Sequence, residues 1–307
     1  MNKIKLVFTI GDLENLTGIS THTIRIWEKR YKLLCPERTD TNLRRYTSND
    51  LRKLLNIATL QKHGERISRL ALLSTHELEC QINDLTQHDD ALSPSLNGLK
   101  VAMLEFDKTK LEQIYQQLST QFTFRELFQN ILVPLLIEIG RLWQTGNLCP
   151  AHEHFISNFI RKKIYVQIDK IPENNHVAED EFTRVVFLPP NEMHELGALY
   201  LYYRLLSVGL HAIYLGQSIE TTDLQAIRDS ISGRIMYISW WTVYPEKAGV
   251  AEFFSDFKNK LLKPEDQLWV TGHHFNLSSP PAPDTNIFVF KNPADLFHKL
   301  FPENSKV

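Results

Sequence analysis

The sequence predicts a multidomain chain, two helical parts followed by an α/β part, and three observations predict it. Residues 8–51 carry a helix, a short Gly turn, a second helix and then a basic loop. Residues 97–171 hold four apolar stripes at helical spacing, joined by short connections, as in an antiparallel four-helix bundle. From residue 184 onward, short apolar and β-branched runs alternate with helical stretches, the pattern of a doubly wound parallel sheet. A chain of 307 residues has room for two or three such parts. Their expected bounds are 1–76, 92–172 and 182–302.

In the first part, Thr9 reads as the N-cap of a helix carrying Ile10, Leu13 and Leu16, with Asp12 as its capping partner. Gly18 sits where that helix should stop. Ser20 can cap a second helix that turns Ile24, Trp27 and Tyr31 inward and shows Thr21, His22, Arg25, Lys29 and Arg30 outward. The N-terminal end of such a second helix is the part that enters a DNA major groove, so His22 and Arg25 are the candidates to reach bases. Pro36 to Asn42 reads as a loop, and Arg44, Arg45 and Tyr46 behind it could grip backbone phosphate as a wing. Thr47 or Ser48 should cap a helix from Asp50 to about His63. Residues 1–75 hold 14 Lys and Arg against 7 Asp and Glu; with the whole chain at −2, a head of +7 sits on a body of −9. That asymmetry suits a polyanion partner of the N-terminus alone.

Hydrophobic content of 43% and charged content of 23% describe an ordinary globular protein. No apolar run reaches the ~18 residues of a membrane span, and MNKIKLVF lacks the apolar core of a signal peptide, so a cytoplasmic protein with no membrane partner is expected. Cys35, Cys80 and Cys149 form no C-x-x-C pair, and no zinc or redox site is indicated.

In the middle, a helix is expected from Glu65 to about Leu85 after a break near Gly64, then a polar linker from His88 to Leu96. The four helices follow at Asn97–Glu105, Asp107–Leu118, Thr123–Trp143 and Ala151–Ile171, the third kinked by Pro134. Trp143 ends one helix, and the first turn of the next carries His152, Glu153 and His154. These residues either line a ligand pocket or are an anchoring Trp and a Glu that favours the helix dipole.

In the last part, strands are expected at Arg184–Leu188, His211–Leu215, Arg234–Ser239, Gln267–Thr271 and Asn286–Phe290. The helices between and after them are His194–Val208, Thr221–Ser230, Pro245–Leu261 and Pro293–Leu300. Ligands on such sheets sit beyond the carboxyl ends of the strands. There the first loop carries Glu192, His194 and Gly197. An exposed imidazole with a carboxylate fixing its tautomer could ligate a metal held by a cofactor, and a glycine lets backbone approach a bulky group. A merely solvated histidine is the ordinary alternative.

Two resemblances follow. The stretch IGDLENLTGISTHTIRIWEKRYKLLCPERTDTNLRRYTSNDL resembles the winged helix-turn-helix of MerR-type transcription regulators, in Thr23-Ile24-Arg25, Trp27-Glu28, Arg30-Tyr31 and Tyr46-Thr47 among others. Lys32 departs from the family's usual Gly. The likeness implies a dimer on a near-palindromic promoter site, with Arg25, Arg44, Arg45 and Tyr46 at double-stranded DNA and RNA polymerase as a further candidate partner. Glu192-x-His194-x-x-Gly197 is similar to the D/E-x-H-x-x-G motif of cobalamin-binding domains, Rossmann-like folds in which the His is the lower axial ligand of cobalt. Trp143, followed by Glu153-His154, is similar to the helical cap of the cobalamin-dependent repressors of the CarA/CarH type.

These resemblances imply a transcription regulator, expected to be a repressor and not an enzyme. It would sense a cobalamin, with adenosylcobalamin among the candidates, and change oligomeric state as a dimer or tetramer. They imply His194 on cobalt and Trp143, Glu153 and His154 at the upper face. Ser239 and Gly272 would be kept from the Ser-x-Leu and Gly-Gly segments that line the slot for the nucleotide tail. Three departures bear on this: Gln144 stands where light-sensing relatives carry a second cobalt-capturing His, and Trp240-Trp241 and His273-His274 fall in the tail slot. The rival readings are a regulator that has lost cobalamin and docks a protein or another small molecule, and a corrinoid methyl-transfer subunit. The second is opposed by the N-terminal module and by the lack of a recognisable nucleophile–base pair.

Overall fold

The structure, a computed structural model, describes residues 7–39, 41–87, 92–144, 148–172, 181–245, 249–272 and 285–302; at 83–87, 92, 93, 143 and 144 it describes the backbone alone. The expected pair His273-His274 lies outside the described residues, and so do the side chains of Trp143 and Gln144. Two compact units are present, Met1–Asn158 and Phe159–Val307.

The first unit opens with β1 (Val7–Phe8), α1 (Ile10–Thr17) and α2 (Thr21–Tyr31). Thr9 caps α1 in a reciprocal capping box with Asp12, and Gly18 closes it in the left-handed conformation at φ 74°. Ser20 caps α2 by accepting from the Thr23 N–H. β2 (Glu37–Arg38) and β3 (Arg44–Thr47) form a hairpin, and β1 pairs antiparallel on the far side of β3. Thr47 and Asp50 make a second capping box at the head of α3 (Ser48–Lys62). Leu13, Leu16, Ile24, Trp27, Leu51 and Leu54 are buried between these helices.

Beyond α3 the chain is more broken than expected. A short α4 (Ile67–Leu70) precedes α5 (Thr75–Gln87), where one continuous helix was expected. The run stops at Leu70, and Ser74 opens the next helix, exchanging hydrogen bonds with Glu77 as its cap. α6 (Leu92–Leu104) begins inside the expected linker; Pro94 falls in its first turn, where a missing N–H costs nothing. α7 (Lys108–Ser119), α8 (Phe124–Leu127), α9 (Val133–Gln144) and α10 (Pro150–Ile168) complete the helical region. The kink expected at Pro134 takes the form of a π-turn, Phe128–Leu132, between α8 and α9, in which the Val133 N–H bonds back to the Phe128 carbonyl. Pro134 has no N–H and crowds the turn before it, and a widened turn relieves that crowding.

The second unit is a five-stranded, wholly parallel sheet with helices on both faces. In chain order it runs β4 (Phe182–Phe187), α11 (Leu196–Ser207), β5 (Ala212–Gly216), α12 (Thr221–Ser230), β6 (Arg234–Trp240), α13 (Val250–Lys260), β7 (Gln267–Thr271), β8 (Ile287–Phe290) and α14 (Pro293–Leu300). The spatial order is β5-β4-β6-β7-β8. The chain therefore reverses its winding between β4 and β6, which makes their carboxyl ends the topological switch point. Side chains alternate across the sheet: Val185 and Phe187 join one apolar cluster with α12 and α13, while Val186 and Leu188 join another with α11 and α14. No helix among the described residues is long and apolar enough to cross a membrane.

Candidate functional site

At the head of the chain, burying Ile24 and Trp27 turns the other face of α2 outward, leaving His22, Arg25, Lys29 and Arg30 exposed and Thr21 half-buried. Arg30 lies over the Tyr31 ring, 5.3 Å from its centroid. The wing is fastened to this helix by one carboxylate. Glu28 accepts from Nε of Arg44 at 3.1 Å and from the hydroxyl of Tyr46 at 2.5 Å. Arg45, between them on β3, is exposed.

Tyr46 corrects an expectation. It is fully buried, and burial first, then the Glu28 carboxylate, push its phenol pKa upward. Because β3 alternates, Arg45 and Tyr46 point to opposite faces, and the tyrosine is a core residue that fixes the wing, unable to touch a duplex.

In the helical region, Glu153 accepts from the Ser157 hydroxyl at 2.6 Å and meets Nδ1 of the exposed His154 at 2.9 Å. The neighbouring His152 turns the other way and stacks on Phe106, ring centroids 4.6 Å apart. Burial pushes its pKa down, against hydrogen bonds with the backbone at Leu104 and Cys149.

At the switch point, residues 189–195 form the loop after β4. Glu192 is fully buried within it. Its Oε1 accepts from the His194 N–H at 2.9 Å and from Nδ1 of the same residue at 2.6 Å. Its Oε2 accepts from three successive N–H groups in the loop after β6: Thr242 at 2.8 Å, Val243 at 2.6 Å and Tyr244 at 3.0 Å. Burial works to raise this carboxyl's pKa; the bonds from His194, Val243 and Tyr244 outweigh it and hold the pKa down at about 2. The carboxylate thus sets the His194 tautomer, with the proton on Nδ1 and the lone pair of the neutral ring on Nε2. The His194 side chain is 55% exposed. The exposed apolar side chains of Met193 and Val243 belong to these same two loops.

Sequence reasoning missed a neighbouring cluster. Glu195 is buried and accepts from Nε of Arg161 at 2.5 Å and from the Tyr214 hydroxyl at 2.9 Å. Burial, then Glu195, push the Tyr214 phenol pKa upward. The cluster draws on α10, the loop and β5, so no local spacing announces it.

Beneath this loop lie the two tryptophans. A Cβ placed on Gly197 would meet Trp240 at 2.2 Å from Cε2 and 2.4 Å from Cζ2, so the indole rests directly on the glycine. Trp240 also meets Phe297 edge-on, centroids 6.5 Å apart. Trp241 is fully buried on the opposite face of the sheet and donates from Nε1 to the Ser239 hydroxyl at 2.8 Å. Gly272 has φ 137°, and a Cβ there would lie 1.9 Å from the Trp241 carbonyl oxygen. Packing against Trp241 accounts for this glycine and for the hydroxyl of Ser239.

Tested against a cobalamin, the site fits in one half. An imidazole held by a buried carboxylate is a donor suited to a cobalt centre. The slot expected for the nucleotide tail does not fit, because Trp240 covers Gly197 and Trp241 takes up Ser239 and Gly272.

Residues 8–75 match the MerR HTH family regulatory protein, and residues 95–166 match the B12 binding domain. The HTH-type transcriptional repressor CarH of Myxococcus xanthus is 28% identical over 224 residues, covering 71% of this chain and 73% of that protein. The HTH-type transcriptional repressor CarA of the same organism is 25% identical, with 72% of each covered. Among solved structures, the monomethylamine corrinoid protein of Methanosarcina barkeri shares the fold, with a TM-score of 0.51 at 11% identity over 66% of this chain and 95% of that one. The chain therefore carries a MerR-type helix-turn-helix at residues 8–75 and a B12-binding helical domain at 95–166, followed by a parallel sheet of the kind seen in corrinoid proteins.

Proposed function

We propose that this protein is a sequence-specific DNA-binding transcription regulator, acting as a repressor, whose C-terminal half senses a corrinoid of the cobalamin class. The DNA half of the reading rests on the exposed His22, Arg25, Lys29 and Arg30 of α2 beside a wing that presents Arg45. The sensing half rests on the His194 imidazole, oriented by Glu192 at the switch point of the sheet. The likeness to two repressors supports the sign of the output.

In this reading Arg25 and His22 meet base edges, and Arg30, Arg44 and Arg45 meet phosphate, with Thr21 at the helix entrance. When bound, a corrinoid would supply a cobalt centre able to take a nitrogen donor. His194 would provide that nitrogen, whether the ligand is adenosylated or not. A ligand that favours one self-assembly, a dimer or a tetramer, would raise operator avidity by presenting several DNA heads together.

The test is a mobility-shift titration of the full chain on its own upstream duplex and on random duplex at physiological salt, with and without corrinoid in the dark. A preference for the upstream duplex that corrinoid alters is the expected result. No preference would overturn the DNA half. A preference that no corrinoid alters would favour the second reading, a cofactor-free regulator, to which the Trp240–Gly197 contact lends support.

A further inference from the structure

A corrinoid's nucleotide arm hangs from the lower face of the ring, the face an axial imidazole from the protein takes when it displaces the arm's own base. A complete cobalamin held through His194 would have to place that arm at the carboxyl ends of the strands, where the His194 loop stands. The opening available to it there is the crevice at the switch point, between β4 and β6.

That crevice is closed by the chain itself. The Trp240 indole sits where even the Cβ of an alanine at position 197 would overlap it, at 2.2 Å, and Phe297 and the α11/α14 apolar cluster back it from behind. The ring is half-buried, with one side packed on Gly197 and the apolar cluster, so a second bulky group could enter over Gly197 only if the indole moved. On the other side, the fully buried Trp241 holds Ser239 by a hydrogen bond and approaches Gly272 with its own backbone. The ring-binding features remain: His194 is exposed on its carboxylate, beside the exposed apolar Met193 and Val243.

We propose that the site takes a corrinoid lacking the nucleotide arm, held through His194, and that Trp240 turns the complete cobalamin away. The inference rests on the corrinoid reading above and narrows its ligand class.

The experiment compares two probes on the full-length protein in the dark, diaquacobinamide without the arm and aquacobalamin with it. The readouts are the dissociation constant and the shift of the visible bands when imidazole joins cobalt. The wild-type protein should retain diaquacobinamide through gel filtration with a band shift that His194→Ala abolishes. It should bind aquacobalamin at least about tenfold more weakly, the factor given by ~1.4 kcal/mol of differential binding. In Trp240→Gly the ratio of the two affinities should move toward aquacobalamin by about tenfold or more. Equal binding of the two probes by the wild type overturns the selectivity and leaves the corrinoid reading standing. Binding of neither probe overturns both. Because aquacobalamin must also give up its own base to His194, the change in ratio decides the matter, read in Trp240→Gly or, if that variant does not fold, in Trp240→Ala; an unmoved ratio in the folded variant removes Trp240 as the cause.

Discussion

Glu192 holds His194 by both its backbone N–H and its ring, at 2.9 and 2.6 Å, through the same carboxylate oxygen. The other oxygen carries three backbone N–H groups from the loop after β6. One buried charge therefore orients the candidate ligand and joins the two loops of the switch point. Glu192 positions His194 from below; it is too deeply buried to touch a ligand itself.

Glu192→Gln should destabilise the protein by about 2 kcal/mol near neutral pH, because bonds to an ionised acceptor become bonds to a neutral one. The pH dependence follows from a carboxyl whose folded pKa, about 2, lies below its ordinary 4.5. A depressed carboxyl stabilises the fold above its unfolded value, and that contribution is lost as pH falls from 4.5 toward 2. The gap between wild type and Glu192→Gln in urea unfolding should be full near pH 7 and shrink through that acid window. A gap that does not change with pH would contradict the assignment.

Gly197→Ala should cost about 1–3 kcal/mol, the range for an added methyl in a filled space, because its Cβ meets the Trp240 ring. The same change made in a Trp240→Ala background should cost much less. A double-mutant cycle by thermal or urea unfolding should return a coupling of about 1 kcal/mol or more. Additive effects would mean that the indole yields without strain.

What could be read from the sequence was local. The capping pairs Thr9–Asp12 and Thr47–Asp50 sit three residues apart, so spacing alone revealed them. The inner strands β4, β6 and β7, buried over most of their length, stood out as apolar runs. Glu192, His194 and Gly197 were legible as a motif, but their partners were not. The N–H groups on Glu192 lie some fifty residues downstream, and the ring against Gly197 comes from the end of β6. Tyr46 was misjudged for the same reason: beside two arginines it looks like part of a DNA-gripping surface, and only Glu28, eighteen residues upstream, shows that it faces inward. The break before Ser74 and the start of α6 before Pro94 were missed because polar and Pro-containing stretches also begin helices.

Lys32→Gly should stabilise the head by about 1 kcal/mol. Lys32 ends α2 at φ 50°, in the left-handed region, with its N–H on the Glu28 carbonyl and the next N–H reaching Trp27. A Cβ in that conformation costs ~1–2 kcal/mol, part of which glycine's greater freedom in the unfolded chain offsets. A rise in the urea midpoint at unchanged slope would bear this out, and a fall would show that the lysine side chain contributes more than its backbone costs.

Arg45 and Tyr46 are neighbours on one strand, and their variants should separate binding from stability. Arg45 is exposed on the wing, so Arg45→Ala should weaken binding to specific and random duplex alike and make the salt dependence shallower by about one phosphate contact. It should leave unfolding nearly unchanged, as exposed substitutions do. Tyr46→Phe should do the opposite. Removing the hydroxyl takes one of two partners from the Glu28 carboxylate at 11% exposure, which should cost about 1–3 kcal/mol of stability. At temperatures where the variant stays folded, its salt slope on DNA should match the wild type, since a buried ring makes no phosphate contact. Fluorescence anisotropy across a salt series, read beside urea unfolding of both variants, tests the pair. A Tyr46→Phe protein with a shallower salt slope would return the tyrosine to the DNA surface and undo the account of the wing.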